Sequence, residues 1–181
     1  MTRPRAGAPA GGGRQAPDGA NFLAALLLRF PQLSSASFDP ATGAVRLVLL
    51  LSRRLSAAGF AAFRRRLQDS VGVLHELSRF PTPEVTIRRM LGPQFTRIEI
   101  TRSVEDLTAE EVQLICDLVA DAFGADLAAG EEVAEDLDAA EEDLQRALEH
   151  VRERRPARAV VGVRERGQVL VYYAGRRVRD G

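Results

Sequence analysis

Hydrophobic residues recur along the chain either every three to four residues, as in a helix, or at every second residue, as in a strand. The order of these segments predicts helices that alternate with β-hairpins. An apolar run at residues 21–30 predicts a short buried helix, which Pro31 ends. Residues 45–51 are apolar on both faces of an extended chain, which is typical of a central strand that is covered on both sides. Residues 36–38 precede that strand across a turn sequence at 39–43. The two segments therefore predict a β-hairpin with a buried second strand.

A long helix and a second hairpin are predicted next. Ser56 is a favourable N-cap residue, and apolar residues recur after it at intervals of three and four. Pro81 ends that helix. Two extended segments, residues 84–90 and 95–102, then flank a Gly-Pro pair. Apolar and polar residues alternate in the second of them, so we expect one face of this strand to be wet.

The last third of the chain predicts two helices and a third hairpin. Thr108 and Glu111 form a capping box at the start of an apolar helical stripe. A further helix is predicted at about residues 131–155, with acidic residues in its first half and arginines in its second. The final hairpin is predicted from strands at 159–164 and 168–174.

The element order α-ββ-α-ββ-α-α-ββ indicates an α+β fold. We expect a largely antiparallel sheet built from β-hairpins, with helices packed on one face, because a doubly wound parallel sheet needs strand-helix-strand alternation. Residues 1–19 are predicted to be a disordered N-terminal tail, residues 20–175 a single domain and residues 176–181 a basic, frayed C-terminus. The predicted core contains Phe22, Leu26, Val45, Leu47, Leu49, Phe60, Phe63, Leu67, Ile98, Ile100, Val112, Ile115, Val119, Leu137 and Leu144.

Composition excludes several kinds of chemistry. All basic residues are arginine, so there is no phosphate-loop or Schiff-base lysine, and such arginine-rich usage is typical of a bacterial genome rich in G and C. One cysteine and two histidines do not make a tetrahedral zinc site, and no Gly-x-Ser-x-Gly motif occurs. We expect no metal and no cofactor. A binding or adaptor module is favoured over an enzyme, although an active site assembled from distant residues stays open as an alternative.

The expected location is the cytoplasm, with no membrane partner. The apolar run at 22–28 is far shorter than the roughly 20 residues that cross a bilayer. A secretory signal is the alternative for this run, but Arg29 and Pro31 interrupt the approach to a cleavage site. Cys116 lies on an apolar stripe and is predicted to be a small core residue, while His75 and His150 are assigned structural or surface roles.

Charge is segregated along the chain although the formal net charge is zero. Residues 1–66 carry a net charge of +8, residues 104–151 carry −15 and residues 152–181 carry +6. We favour a solvated, partner-binding face on the acidic helix over a metal site, because no central glycine of an EF-hand loop interrupts the run. This face either docks a basic partner protein or covers the arginines at 64–66. The candidate partner-binding residues are Glu131, Glu132, Glu135, Asp138 and Glu142.

Arginine and tyrosine in the last hairpin and tail provide an alternative function. Arginine binds phosphate bidentately and stacks on bases, so this region is a candidate surface for RNA or the ribosome. No established RNA-binding signature accompanies it. The candidate residues are Arg164, Arg166, Tyr172, Tyr173, Arg176, Arg177 and Arg179. We also consider an oligomer, because either outer hairpin has an edge that can pair with another copy.

Overall fold

The computed structural model describes residues 18–81, 83–128 and 137–174 and confirms the predicted α+β class and element order. A single 3-10 turn, Gly124–Asp126, follows α3. In chain order the helices and strands are α1 (Asp18–Arg29), β1 (Ser35–Asp39), β2 (Ala44–Leu51), α2 (Ala57–Leu77), β3 (Thr86–Leu91), β4 (Thr96–Ser103), α3 (Ala109–Phe123), α4 (Leu137–Glu153), β5 (Val160–Glu165) and β6 (Gln168–Tyr173).

The six strands form one antiparallel sheet in the order β3-β4-β2-β1-β5-β6. Each predicted hairpin is a neighbouring pair in this order. The apolar β2 lies inside the sheet between β4 and β1, with Leu49 opposite Ile98 and Leu47 opposite Ala36. The prediction of a central strand at 45–51 is therefore confirmed, but the expected cover on both of its faces is not, since the described helices pack on one face of the sheet.

Helices cover one face of the sheet. Side chains alternate between the faces of a strand, and Val45, Leu47, Leu49 and Leu51 of β2 are all buried on the helix-covered side. On that side α1 lies over β1, β5 and β6, α4 packs against α1 and α3, and α2 packs against α3. The register places Arg46 of β2 on the opposite face, called here the bare face, although Val48 and Glu99 on this face are buried.

The first helix starts earlier than the apolar run indicates. It spans Asp18–Arg29, so the last two residues of the predicted tail at 1–19 belong to α1. A Cβ added to Gly19 would come within 2.9 Å of the Pro156 side chain, which places the start of α1 directly against the chain after α4. The first residues of α1 thus take part in a long-range contact, which no local pattern in the sequence indicates. Residues 1–17 and the predicted basic end at 176–181 lie outside the described residues.

The core follows the predicted hydrophobic stripes, with two differences. Phe60 is half-buried at the margin, where the Arg89 guanidinium lies 5.5 Å from its ring centroid. The hydrophobic spacing of α2 also predicts Leu74 in the stripe, but the buried positions end at His75 and Leu74 is half-buried. The side chain of Leu137 is outside the described ones, and the other predicted core residues are buried. In the described chain no helix has both the length and the apolarity to cross a bilayer.

Candidate functional site

A groove of about 940 Å³ opens between the beginning of α3 and the exposed side of α4. Three segments that are far apart in sequence form it: the chain just after α2, the first residues of α3 and the middle of α4. Its wall consists of Phe80, Thr108, Ala109, Glu110, Glu141, Glu142, Gln145, Arg146 and Glu149.

Four of these wall residues are glutamates, and only one is basic. That basic residue, Arg146, pairs with Asp143 on its own helix at 2.9 Å. Among the described residues, no arginine or histidine forms an ion pair with any of the four glutamates. Glu149 accepts one hydrogen bond, from the Gln145 amide at 3.1 Å. A cleft lined by one sign of charge concentrates the electrostatic field, so the groove favours cations.

The sequence of α4 explains why its carboxylates face outward. Leu144, Leu148 and Val151 are buried and hold one side of the helix in the core. Residues three and four positions apart share a helix face, so Glu142 and Glu149 fall on the side that the core does not use. Because its apolar side is held in the core, α4 presents its acidic side to the groove.

An apolar surface lies beside these carboxylates. The Phe80 side chain is 56% exposed although it is a large aromatic residue. A smaller cavity of about 160 Å³ shares Ala109, Glu110 and Glu141 with the groove and continues it to the end of α1. Arg29 lines this inner end, where it donates to the Gln113 side-chain oxygen at 2.7 Å.

A buried charged cluster lies next to the groove and fixes α3. His75 Nε2 donates to Glu111 Oε2 at 2.7 Å, because a carboxylate can only accept. Arg102 donates to both oxygens of Glu111 and also to the carbonyl of Glu84, which is 2.9 Å from its NH1. All three side chains are buried. The cluster ties α2, α3 and β4 together and sets the position of the groove wall.

Glu111 therefore corrects one part of the predicted capping box. Thr108 is the N-cap of α3, and its hydroxyl accepts from the Glu111 backbone N–H at 3.1 Å. The Glu111 carboxylate, however, bonds to Arg102 and His75. A buried guanidinium without a counter-charge costs several kcal/mol, about three times what a cap contributes. The Glu111 carboxylate therefore pairs with Arg102 instead of completing the capping box.

The buried cluster of His75, Arg102 and Glu111 was not predicted, although the position of Arg102 in its strand indicates that this side chain is buried. Arg102 continues the alternation of Ile98 and Ile100, which places it on the core-facing side of β4. An arginine on that side requires a buried carboxylate, and Glu111 is nine residues further on. His75 has the structural role that was expected of it. Its Nδ1 has no hydrogen-bond partner among the described residues, and its ring packs edge-on against Phe80 with centroids 6.1 Å apart.

Only part of the predicted acidic site is described. Glu142, one of the candidate partner-binding residues, is exposed and lines the groove. Asp138 belongs to α4, but its side chain is not described, and Glu131, Glu132 and Glu135 lie outside the described residues. Glu141 belongs to the same acidic run as Glu142. Three further groove residues were not candidates in the sequence, because they converge only in the folded chain: Phe80, Glu110 and Glu149.

Among the arginines at 64–66, the described ion pair is made with α3 and not with the acidic helix. Arg66 pairs with Asp121 at 2.7 Å, and the Arg64 guanidinium lies 6.0 Å from the Phe60 ring centroid. The acidic helix α4 packs against α1 and α3. The groove side of α4 thus stays open instead of covering this basic cluster.

The predicted RNA-binding residues are divided by the fold. Arg164 donates to the carbonyl oxygens of Leu27 in α1 and of Leu33 in the loop that follows it, and burial lowers the pKa of Arg164. Its guanidinium is thus already used within the fold. Arg166 is exposed in the β5–β6 turn, and Tyr172 and Tyr173 are also exposed, on opposite faces of β6. The described residues do not include Arg176, Arg177 and Arg179.

Comparison with known proteins finds no matching family model, no matching curated protein and no matching solved structure. The groove geometry is accordingly the basis on which a function is assigned.

Proposed function

We propose that this chain is a non-catalytic binding module whose acidic groove holds a basic segment of a partner protein. One observation carries the proposal: carboxylates without an ion-pair partner among the described residues line a groove that also contains an exposed aromatic ring. These features suit arginine and lysine side chains, which combine a cationic end with an apolar stem.

Each part of the groove matches a part of such a ligand. Glu141, Glu142 and Glu149 present acceptors for ammonium or guanidinium groups. Phe80 offers a ring face for cation–π contact and a surface for aliphatic stems. Single exposed ion pairs contribute only about 0–1 kcal/mol, so useful affinity requires several cations on one segment.

Binding is favoured over catalysis by the residue types in the groove. Its described wall contains no histidine and no cysteine, and the Thr108 hydroxyl is used as the helix cap. A hydroxyl or thiol nucleophile with an adjacent histidine base is thus not among these wall residues. A reducing compartment such as the cytoplasm fits the single thiol of the chain, which is buried.

The proposal is tested with a fluorescein-labelled peptide of alternating arginine and alanine, whose binding is followed by fluorescence anisotropy at low salt. We compare the wild type with the triple variant Glu141→Gln, Glu142→Gln and Glu149→Gln. The matched control neutralises three exposed acids away from the groove, Asp39, Asp69 and Glu165. Both variants change the net charge by the same amount.

We expect the groove variant to weaken binding about tenfold, since three ion pairs at about 0.5 kcal/mol each correspond to one decade in Kd. The control should stay within about twofold of the wild type. Equal weakening of both variants would show that the peptide responds to overall charge only, and the groove proposal would then be abandoned.

The second candidate, an RNA- or ribosome-binding hairpin, is supported only by the exposure of Arg166, Tyr172 and Tyr173. It lacks the contribution of Arg164, which bonds to the end of α1. Retention of a structured RNA on a filter at low salt, lost on Arg166→Gln, would favour this candidate. Absence of retention would remove it.

A further inference from the structure

The two edges of the sheet differ in how well they are protected. One edge is β3, whose sequence includes Arg88 and Arg89. The other is β6, whose six residues, Gln-Val-Leu-Val-Tyr-Tyr, contain no charge, no proline and no glycine. Charged residues, prolines and bulges are the usual means by which proteins prevent edge strands from pairing with other chains. The β6 edge has none of them.

The hydrogen-bond pattern shows which backbone groups of β6 are free to pair. Ala174 N–H donates to the Ala159 carbonyl at 2.8 Å, so Ala174 bonds toward β5. In an antiparallel ladder, successive residues bond alternately to one side and to the other. Val169, Val171 and Tyr173 therefore direct their N–H and C=O groups away from β5. No described residue pairs with these groups.

We propose that the β6 edge pairs antiparallel with β6 of a second copy of this chain. The two six-stranded sheets then become one continuous sheet across a twofold axis. The axis is perpendicular to the sheet, so the helices of both copies lie on the same side.

The alternation of bonding directions also fixes the register. Bonds form only where outward-directed residues lie opposite one another, and Val171 is the middle one of the three. With Val171 opposite its own counterpart, Val169 lies opposite Tyr173 of the second copy and every outward group of the three residues is bonded. Leu170 and Tyr172 then face each other across the interface on the bare face of the sheet.

The sequence of β6 suits a second copy as the occupant of this edge, because it is uncharged and is complementary to itself in the proposed register. Two β6 strands carry no charge, so they approach without repulsion. Two β3 strands would instead bring Arg88 and Arg89 of both copies together. An aromatic–aliphatic pair across antiparallel strands adds stabilisation, and the proposed register makes two such pairs between Leu170 and Tyr172.

The first test measures the mass of the full chain by light scattering over a range of concentrations. Val171→Pro removes an outward N–H but no bond to β5, and proline is tolerated at the solvent side of an edge strand. Leu91→Pro is the control on β3, because the bond from Gly92 N–H to Phe95 directs the Leu91 N–H outward there as well. We expect dimers for the wild type and the control, and monomers for Val171→Pro.

The second test does not depend on how well the proline variant folds. Opposed residues of a hydrogen-bonded antiparallel pair have Cα atoms about 5.5 Å apart, which is within the range that a disulfide spans. Val171→Cys should therefore form a disulfide-linked dimer under mild oxidation. Arg88→Cys on the other edge should not. The native Cys116 does not compete, because it is buried and burial raises the pKa of its thiol far above the ordinary value.

A wild-type chain that stays monomeric at every concentration would overturn the proposal, and so would equal cross-linking of the two cysteine variants. Both outcomes are independent of peptide binding in the groove, which lies on the helical side of the molecule.

Discussion

Among the described residues, Arg102 has the largest fully buried side chain, and this side chain carries a charge. One carboxylate, that of Glu111, receives two of its N–H groups, and a backbone carbonyl receives a third. A buried pair of this kind is costly to disrupt, because removal of one partner leaves the other charge unpaired in the core. The pair thus makes the position of α3 strongly dependent on a single side chain.

Replacement of Arg102 by methionine should lower the free energy of unfolding by about 3–5 kcal/mol, because Glu111 would keep a buried, uncompensated charge. Urea unfolding followed by circular dichroism measures this. The control is Arg66→Met, which removes an exposed ion pair and should cost about 0–1 kcal/mol. Equal effects of the two substitutions would contradict the role assigned to Arg102.

The roles of individual residues were predictable from the sequence where neighbouring residues along the chain determine those roles. Ser56 caps α2 through a bond from the Gly59 N–H at 3.0 Å, and Cys116 is fully buried on its apolar stripe, both as expected. The partner of Arg102 was not predictable in this way. Its choice depends on how β4 packs against α3, and no spacing rule along the chain contains that information.

Helices and strands were predicted in the right order because each has its own signal in the sequence. Caps, turn residues and hydrophobic periods are local, and the elements that they predict recur within a few residues of their predicted positions, except that α4 is described only from Leu137, six residues after its predicted start at 131. The order of the hairpins in the sheet, by contrast, was not predictable from the sequence. The pairing of β1 with β5 joins residues more than 120 positions apart, for example Phe38 and Val160, and no local pattern specifies it.

The N-cap of α3 is a local element with a direct consequence for the groove. Thr108→Ala removes the acceptor for the Glu111 N–H and should lower the free energy of unfolding by about 1 kcal/mol. Thermal or urea unfolding measures the loss, and Thr86→Ala at an exposed strand position serves as the control. A loss no larger than that of the control would mean that the cap contributes nothing to stability.

The whole molecule uses its acidic block in two ways. Part of the net charge of −15 in residues 104–151 is neutralised within the fold, since Glu111, Asp121 and Glu105 pair with Arg102, Arg66 and Arg155. The glutamates of the groove have no such partner among the described residues. An acidic binding face was predictable from the sequence but a groove was not, because the groove forms only where Phe80 and the start of α3 meet α4.

Where a basic ligand binds is therefore the decisive question. Amide chemical shifts of the ¹⁵N-labelled full chain, titrated with the arginine–alanine peptide, answer it directly. We predict that the largest changes fall on the groove residues, with Phe80, Ala109 and Gln145 among them, and that the bare face of the sheet is unaffected. Changes confined to other surfaces, or spread evenly over all exposed acidic residues, would contradict the account.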